Sequence, residues 1–225
     1  MPVQQFPDPE DSTREGIVAI GGDLHSDSLK LAYRQGIFPW PHEGMPLLWF
    51  CPPRRAILDF KLLHVGKRLD RTRRNSSFVF TIDRAFGSVI SACKKSYRPE
   101  QEGTWITGGI EEAYQEAYRL GFVHSVEVWS EGGNLVGGLY GVDSGGVFGG
   151  ESMFHRESDA SKLALLFLVD HLASRGATFL DIQMMTPHMK ALGAVEIPRR
   201  QFLRRLASEQ TLNLTLFDAP HADNL

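Results

Sequence analysis

Cysteine is scarce: Cys51 and Cys93 are the two in 225 residues. They lie far apart and match no metal-ligand spacing, so neither a disulfide framework nor a cysteine-based metal site is expected. No His, Asp or Glu cluster supplies a metal site instead, and no metal or other cofactor is expected. Long hydrophobic runs are missing too, since none approaches the roughly 18 residues that a membrane span needs. The first residues, Met-Pro-Val-Gln-Gln-Phe-Pro-Asp-Pro, have neither a basic n-region nor an apolar h-region, so a cytoplasmic protein with no membrane partner is expected. An excess of positive charge is also absent. The net charge of −3 argues against a general nucleic-acid binder, although the average hides a local cluster.

What is present is a globular composition. With 42% hydrophobic and 23% charged residues, the chain can build one large domain or two small ones. Glycine is concentrated in Leu135 to Phe154, where two apolar strands flank the turn Asp143-Ser-Gly-Gly146. Glycines 137, 138, 141, 149 and 150 fall inside those strands, which predicts a bulge or a ligand close to the backbone. Glu151 is the first carboxylate after them.

Upstream, Ile37-Phe-Pro-Trp-Pro41 and Leu47-Leu-Trp-Phe-Cys-Pro-Pro53 form a rigid aromatic and proline segment. It serves either as a lid on a core or as a platform for a nucleobase, and Trp49 is the residue singled out for stacking. Lys67 to Arg74 holds five basic residues, Lys67, Arg68, Arg71, Arg73 and Arg74, against one acid, a concentration suited to a phosphate backbone. Trp105, on a loop before a helix, is a candidate second aromatic wall.

From His124 onward the pattern predicts strand, strand, strand, helix, strand, helix, strand, helix. The helix after Phe154 is apolar all round, so it is covered on most sides or lends one side to an apolar cavity. Three meandering strands and a crossover helix predict an α+β fold with a GNAT-like acyltransferase domain, a mixed and mostly antiparallel sheet with flanking helices. The junction where acetyl-CoA enzymes carry a glycine-rich pyrophosphate loop reads Glu151-Ser-Met-Phe-His-Arg-Glu-Ser-Asp-Ala160 and has no glycine. Coenzyme A is therefore not expected.

Several motifs resemble one family. They are Gly-Gly-Asp-Leu at 21–24, Gly-Ile-Phe-Pro-Trp at 36–40, Leu-Trp-Phe-Cys-Pro-Pro-Arg at 48–54, Glu-Gly-Thr-Trp-Ile-Thr at 102–107, His-Ser-Val-Glu-Val-Trp at 124–129, Gly-Glu-Ser-Met-Phe at 150–154, Asp-Ile-Gln at 181–183 and Leu-Gly-Ala-Val-Glu-Ile-Pro-Arg at 192–199. In this order they resemble the bacterial leucyl/phenylalanyl-tRNA–protein transferases. The resemblance implies transfer of Leu, Phe or Met from aminoacyl-tRNA to the N-terminal Arg or Lys of a protein, which marks that protein for N-end-rule degradation. It also implies a smaller N-terminal α/β domain ahead of the GNAT-like one, with residues 1–62 expected in the first unit and 63–225 in the second. It implies catalytic roles for Asp181 and Gln183, which are two apart on a strand and share a face. Gln183 would orient the acceptor amine, and Asp181 would raise its nucleophilicity and take up charge. It further implies that Glu151, with Asp181, meets the basic side chain of the acceptor, that Leu139, Phe148, Leu165, Leu168 and Leu180 line the aminoacyl pocket, and that Trp49 and Trp105 hold the 3′-terminal adenosine. The basic cluster would hold the tRNA body. An acyl-CoA-dependent N-acyltransferase and a non-catalytic RNA-binding module are the rival classes.

Overall fold

The computed structural model describes residues 1–42, 44–96 and 104–218. Glu102 and Gly103 of the 102–107 motif lie outside the described residues, as do residues 219–225.

A small antiparallel sheet is built first, from β1 (Ile17–Ile20), β2 (Phe38–Pro39) and β3 (Leu48–Phe50), in the order β1-β3-β2. Helix α1 (Ser26–Arg34) is capped by the His25 ring on the Asp27 N–H and buries Leu29, Ala32 and Tyr33. The N-terminal arm is pinned rather than loose: Phe6 is buried, and Arg199 donates to Cys51 O, Glu10 O and the Ser12 hydroxyl.

The chain then enters a second sheet of seven strands among the described residues. These are β4 (Arg54–Asp59), β5 (Val79–Ile82), β6 (Val123–Trp129), β7 (Leu135–Asp143), β8 (Phe148–His155), β9 (Phe179–Gln183) and β10 (Val195–Pro198), in the order β10-β4-β9-β8-β7-β6-β5. Neighbours are antiparallel except β8 and β9, which are parallel and pair only at Phe148 with Leu180 and Gly149 with Asp181. Beyond Gly149 the two strands part. Because β4 sits between β9 and β10, a division after residue 62 would detach a central strand from its sheet; the passage into the large sheet falls at Arg54.

The strand and helix order predicted from His124 onward is the one observed, with the crossover helix α5 at Ala160–Ser174, after α2 (Lys67–Asn75), α3 (Phe86–Lys95) and α4 (Gly108–Arg119), and before α6 (Pro187–Ala191) and α7 (Arg199–Gln210). Helices α3 and α4 pack on one face of the meander and α5 on the other, which gives two apolar clusters. Helix α5 buries Leu163, Leu165, Leu166, Leu168, Val169 and Leu172, the burial that its all-round apolar surface requires. The core of the small sheet is continuous with the α3 side of the large one, since Trp49, Cys51 and Ile37 share a cluster with Ile90, Tyr114 and Phe154.

The strand glycines have separate causes. A Cβ at Gly141 would lie 2.1 Å from the Gly149 carbonyl oxygen, and one at Gly137 would lie 2.7 Å from the Ala160 Cβ. Both are glycine because backbone or helix approaches there, not a ligand. At Gly149 and Gly150 the nearest atom to an added Cβ is 3.8 Å away in each case, so these two leave ordinary room. The turn is held by Asp143 Oδ1, which accepts from the N–H groups of Gly145 and Gly146, both at positive φ.

Candidate active site

Two irregularities of the sheet converge where β8 and β9 part. Tyr140 of β7 faces Ser152 and Gly141 faces Gly150, so Glu151 is the extra residue of a bulge. On β9, Gln183 faces Ala56 and Asp181 faces Ile57, which makes Ile182 extra. A bulge re-aims its side chain out of the alternating pattern. Gln183 adds to this with φ of 58°, a left-handed conformation uncommon outside glycine. Its amide Nε2 thereby donates to Glu151 Oε1 at 2.5 Å.

Glu151 is half-buried and accepts a second bond from the Tyr114 hydroxyl at 3.3 Å, while the Tyr33 hydroxyl is hydrogen-bonded to that of Tyr114. Burial pushes the Glu151 carboxyl up to about 7; hydrogen bonds from Tyr33 and Gln183 pull the other way, and the charge of Asp181 adds to the rise. Burial, followed by the charge of Glu151, drives both tyrosines well above the ordinary phenol range.

Asp181 is placed differently from expectation. Both of its oxygens are taken by Arg55, with Nε to Oδ1 at 2.8 Å and Nη2 to Oδ2 at 2.7 Å, and Oδ1 also accepts from the Gln183 N–H at 3.0 Å. Arg55 is sealed between the rings of Phe38 and Phe202. Burial is the largest influence and disfavours its charged form, but the charge and hydrogen bonds of Asp181, with the fields of Cys51 and Glu151, together outweigh it and raise its pKa. Asp181, expected to take up charge and to meet the acceptor's cation, thus has its own charge balanced by Arg55. It anchors the Gln183 backbone. Arg55 was not legible, because in Arg54-Arg55 only alternation on β4 separates the exposed guanidinium from the buried one.

A cavity of about 640 Å³ opens beside Glu151. Leu139, Leu165, Leu168 and Leu180 line it, with Ile182, Met153, Met184, Met185, Met189 and Trp105. Asp181 alternates with Leu180 and Ile182 and faces the opposite way, toward Arg55. Phe148 is a correction: it is buried beside the lining and packs against Phe217, with ring centroids 5.3 Å apart. The methionines were missed. They are flexible, polarisable walls that adapt to unbranched or aromatic side chains, and of the four only Met153 falls in a recognised motif.

Trp49 is the clearest correction. It is fully buried, its Nε1–H donates to Gly21 O at 2.9 Å, and Phe6 packs on it edge-on at 4.8 Å. Neither face is left for a base. Trp105 is half-buried at the cavity, and Trp40 is the indole of the aromatic segment that keeps exposed surface, with His42 stacked at 5.8 Å.

The basic residues fall on α2, but three of them are paired with acids: Arg68 with Asp159, Arg73 with Asp170 and Arg74 with Asp70. Lys67 and Arg71 are exposed and have no ion pair among the described residues. At the N-terminus of α5, where a pyrophosphate would sit on an acyl-CoA enzyme, Asp159 is buried and held by Lys162 at 2.6 Å and by Arg68 at 3.3 Å. Among the described residues no group of three or more His, Cys, Asp or Glu could hold a metal ion, and no helix is long and apolar enough to cross a membrane.

Comparison with known proteins agrees over nearly the whole chain. Residues 57–207 match the family described as leucyl/phenylalanyl-tRNA protein transferase, and residues 22–53 match its N-terminal domain. The leucyl/phenylalanyl-tRNA–protein transferase of Maridesulfovibrio salexigens is 50% identical over 201 residues, 89% of this chain and 84% of that protein. The one from Syntrophobacter fumaroxidans is 49% identical over 90% of this chain and 86% of that protein, and the one from Citrobacter koseri 46% over 90% and 86%. Among solved structures, L-PGS from Bacillus licheniformis gives a TM-score of 0.42 at 16% identity, covering 70% of this chain and 51% of that one, too slight a likeness to argue from. With both parts matched in order and half of the positions shared with a relative, this chain belongs to the leucyl/phenylalanyl-tRNA–protein transferase family.

Proposed function

We propose that the protein transfers Leu, Phe or Met from aminoacyl-tRNA to the α-amine of an N-terminal Arg or Lys on an acceptor protein. The product is marked for degradation by the N-end rule, and the work is done in the cytoplasm, where charged tRNA is supplied. One observation carries this assignment beyond family membership: an apolar, methionine-rich cavity ends at Glu151, a carboxylate that bonds no cation among the described residues.

The aminoacyl side chain occupies the pocket of Leu139, Leu165, Leu168 and Leu180. A β-branched side chain fits less well in a slot that suits Leu or Phe. The acceptor's cationic terminus meets Glu151, because the Asp181 charge is balanced by Arg55. Gln183 orients the amine by hydrogen bonding. The donor is an activated ester and the amine has a pKa of about 8, so positioning supplies much of the rate. Trp105 stacks on the terminal adenosine, with Trp40 in place of the buried Trp49 as its companion. Lys67 and Arg71, which are unpaired, make the first contacts with the tRNA backbone, and Arg68, Arg73 and Arg74 join by exchanging their acidic partners.

The meander β6-β7-β8, the crossover α5 and the parting of β8 from β9 support a GNAT-type arrangement of the catalytic part, behind a small N-terminal unit that ends before Arg54. An acyl-CoA donor is disfavoured because no glycine-rich loop opens α5: residues 151–159 hold no glycine, and the buried Asp159 side chain, held by Lys162 and Arg68, occupies that end of the helix. The test is incubation with Leu-tRNA and a peptide beginning with Arg, read by mass. The leucyl adduct is expected with Arg and Lys peptides and not with an N-acetylated one. An adduct formed only from an acyl-CoA, or none at all, would overturn the assignment.

A further inference from the structure

We propose that Glu151 is the group that moves the proton during transfer, taking it from the attacking α-amine and returning it to the departing ribose oxygen. The proposal rests on the aminoacyl-transfer function above and adds a catalytic step to a residue there given only a binding role.

The other groups of the site are unsuited to carrying that proton. Asp181 is bound through both oxygens to the sealed guanidinium of Arg55. To protonate it would leave that cation buried and unpaired, a change that costs several kcal/mol. A carboxamide holds no proton of this kind, so Gln183 can orient but not accept. The tyrosine hydroxyls of Tyr33 and Tyr114 are already donors toward the carboxylate end, and burial holds them protonated. His188 is another titratable side chain on the cavity lining, and its Nε2 is buried without a partner among the described residues. It stands on α6 in the field of Lys162 and His155, has no hydrogen bond to Glu151 or Gln183, and is pushed down by burial and then by Lys162.

Glu151 remains. It is the bulged residue aimed into the cavity, and Gln183 Nε2 on one oxygen and Tyr114 on the other fix its orientation. The titratable and charged groups around it are Tyr33 from α1, Tyr114 from α4, Asp181 from β9 and Arg55 from β4. Its carboxyl, raised to about 7, lies between an ordinary carboxylate and the amine it serves, the matching that general acid–base transfer favours. In the step, the lone pair of the neutral amine forms the C–N bond to the ester carbonyl carbon while the nitrogen's proton passes to a Glu151 oxygen. The bond from that carbon to the ribose oxygen then breaks, its electron pair stays on the oxygen, and Glu151 returns the proton there. The products are an amide and a free hydroxyl, and Glu151 is again a carboxylate.

The experiment is steady-state transfer by the full chain from saturating Leu-tRNA to an Arg-initiated peptide, from about pH 5.5 to 8.5, with kcat and KM for the peptide resolved. Glu151→Gln keeps an acceptor for the Gln183 amide, so fold and tRNA binding are expected to persist, checked by melting and by a tRNA binding titration. Its kcat is expected to fall about 100-fold, and KM for the peptide is expected to rise as well, because the variant also loses the carboxylate that meets the acceptor's cation. The wild-type limb with a midpoint near 7 is expected to vanish, leaving only the amine's own titration near about 8. Glu151→Asp is expected to recover part of kcat and to keep a carboxylate limb, and His188→Gln is expected to keep the limb near 7. A Gln variant whose kcat stays within tenfold while KM rises, an Asp variant without the limb, or loss of the limb in His188→Gln would each overturn the proposal and leave the transferase function standing. A wild-type protein inactive with charged tRNA would overturn both.

Discussion

Arg55 grips Asp181 from the side away from the cavity, with Nε and Nη2 on the two carboxylate oxygens at 2.8 and 2.7 Å and the Phe38 and Phe202 rings closing over the guanidinium at 4.8 and 4.5 Å. The pair is built from β4 and β9 and holds the end of β9 through the Gln183 N–H. Removing one partner strands a buried charge. Arg55→Ala is expected to lower stability by about 3–5 kcal/mol, measured by urea unfolding. Replacing both with apolar residues, Arg55→Met with Asp181→Leu, is expected to cost less than either single change to alanine. Additive losses in that cycle would contradict a coupled pair.

Gln183 joins the anchored strand end to Glu151. Gln183→Ala removes the donor, and Gln183→Glu places a second carboxylate 2.5 Å from Glu151. Both are expected to cut transfer strongly while melting stays near that of the wild type. In Gln183→Glu, like-charge repulsion raises the carboxylate pair's titration further, so the residual activity is expected to peak at higher pH. Wild-type rates in both variants would end any positioning role for this side chain.

Much of this was readable in the sequence, and the failures have a common cause. Strand and helix order from His124 to Gln210 follows from local periodicity, as does the apolar helix that borders the cavity. Glu151 and Gln183 came from motif position, but their meeting depends on two bulges that alternation alone does not reveal. Trp49 was misread because a tryptophan in an aromatic and proline segment looks the same whether its neighbours cover it or not; Phe6, 43 positions earlier by its number, decides the matter. The charge on α2 was overcounted for the same reason, since Asp159 and Asp170 are distant in sequence and adjacent in the fold. Long-range pairing carried the missing information each time.

The two indoles are expected to fail in opposite ways. Trp105→Ala removes a stacking surface at the cavity and is expected to weaken binding of charged tRNA by about 1–3 kcal/mol with little change in melting. Trp49→Ala opens a cavity in the core and is expected to cost about 3–5 kcal/mol of stability. Parallel melting curves and filter-binding titrations on both variants check the contrast. Equal loss of tRNA affinity in two equally stable proteins would contradict it.

On α2, Lys67 and Arg71 have charges that no acid offsets, unlike Arg74, which pairs with Asp70 at 3.0 Å. The double change Lys67→Ala with Arg71→Ala is expected to weaken tRNA binding and to lower its log–log salt slope by about 1–2. Arg74→Ala is expected to lower it less, because breaking its ion pair is part of the cost of binding. A titration series in salt measures both slopes, and a larger drop in Arg74→Ala would reverse the ranking.

Glu151 also makes the protein's stability depend on pH, with a sign that follows from its raised carboxyl. The folded group titrates at about 7 and the unfolded one at 4.5. Between those values the folded state binds more protons than the unfolded state, so this group lowers stability as pH rises through the window. Below about 4.5 it contributes nothing, and above about 7 the full penalty is in place, of order 3 kcal/mol at about 1.4 kcal/mol per pH unit. Glu151→Gln does not titrate and keeps the contact with Gln183. Its stability relative to the wild type is therefore expected to grow between pH 5 and 8 and then level off, while Glu127, also raised by burial, is common to both proteins and cancels. Urea unfolding at several pH values reads the difference, and a gap that is the same at pH 5 and pH 8 would show that burial does not raise this carboxyl.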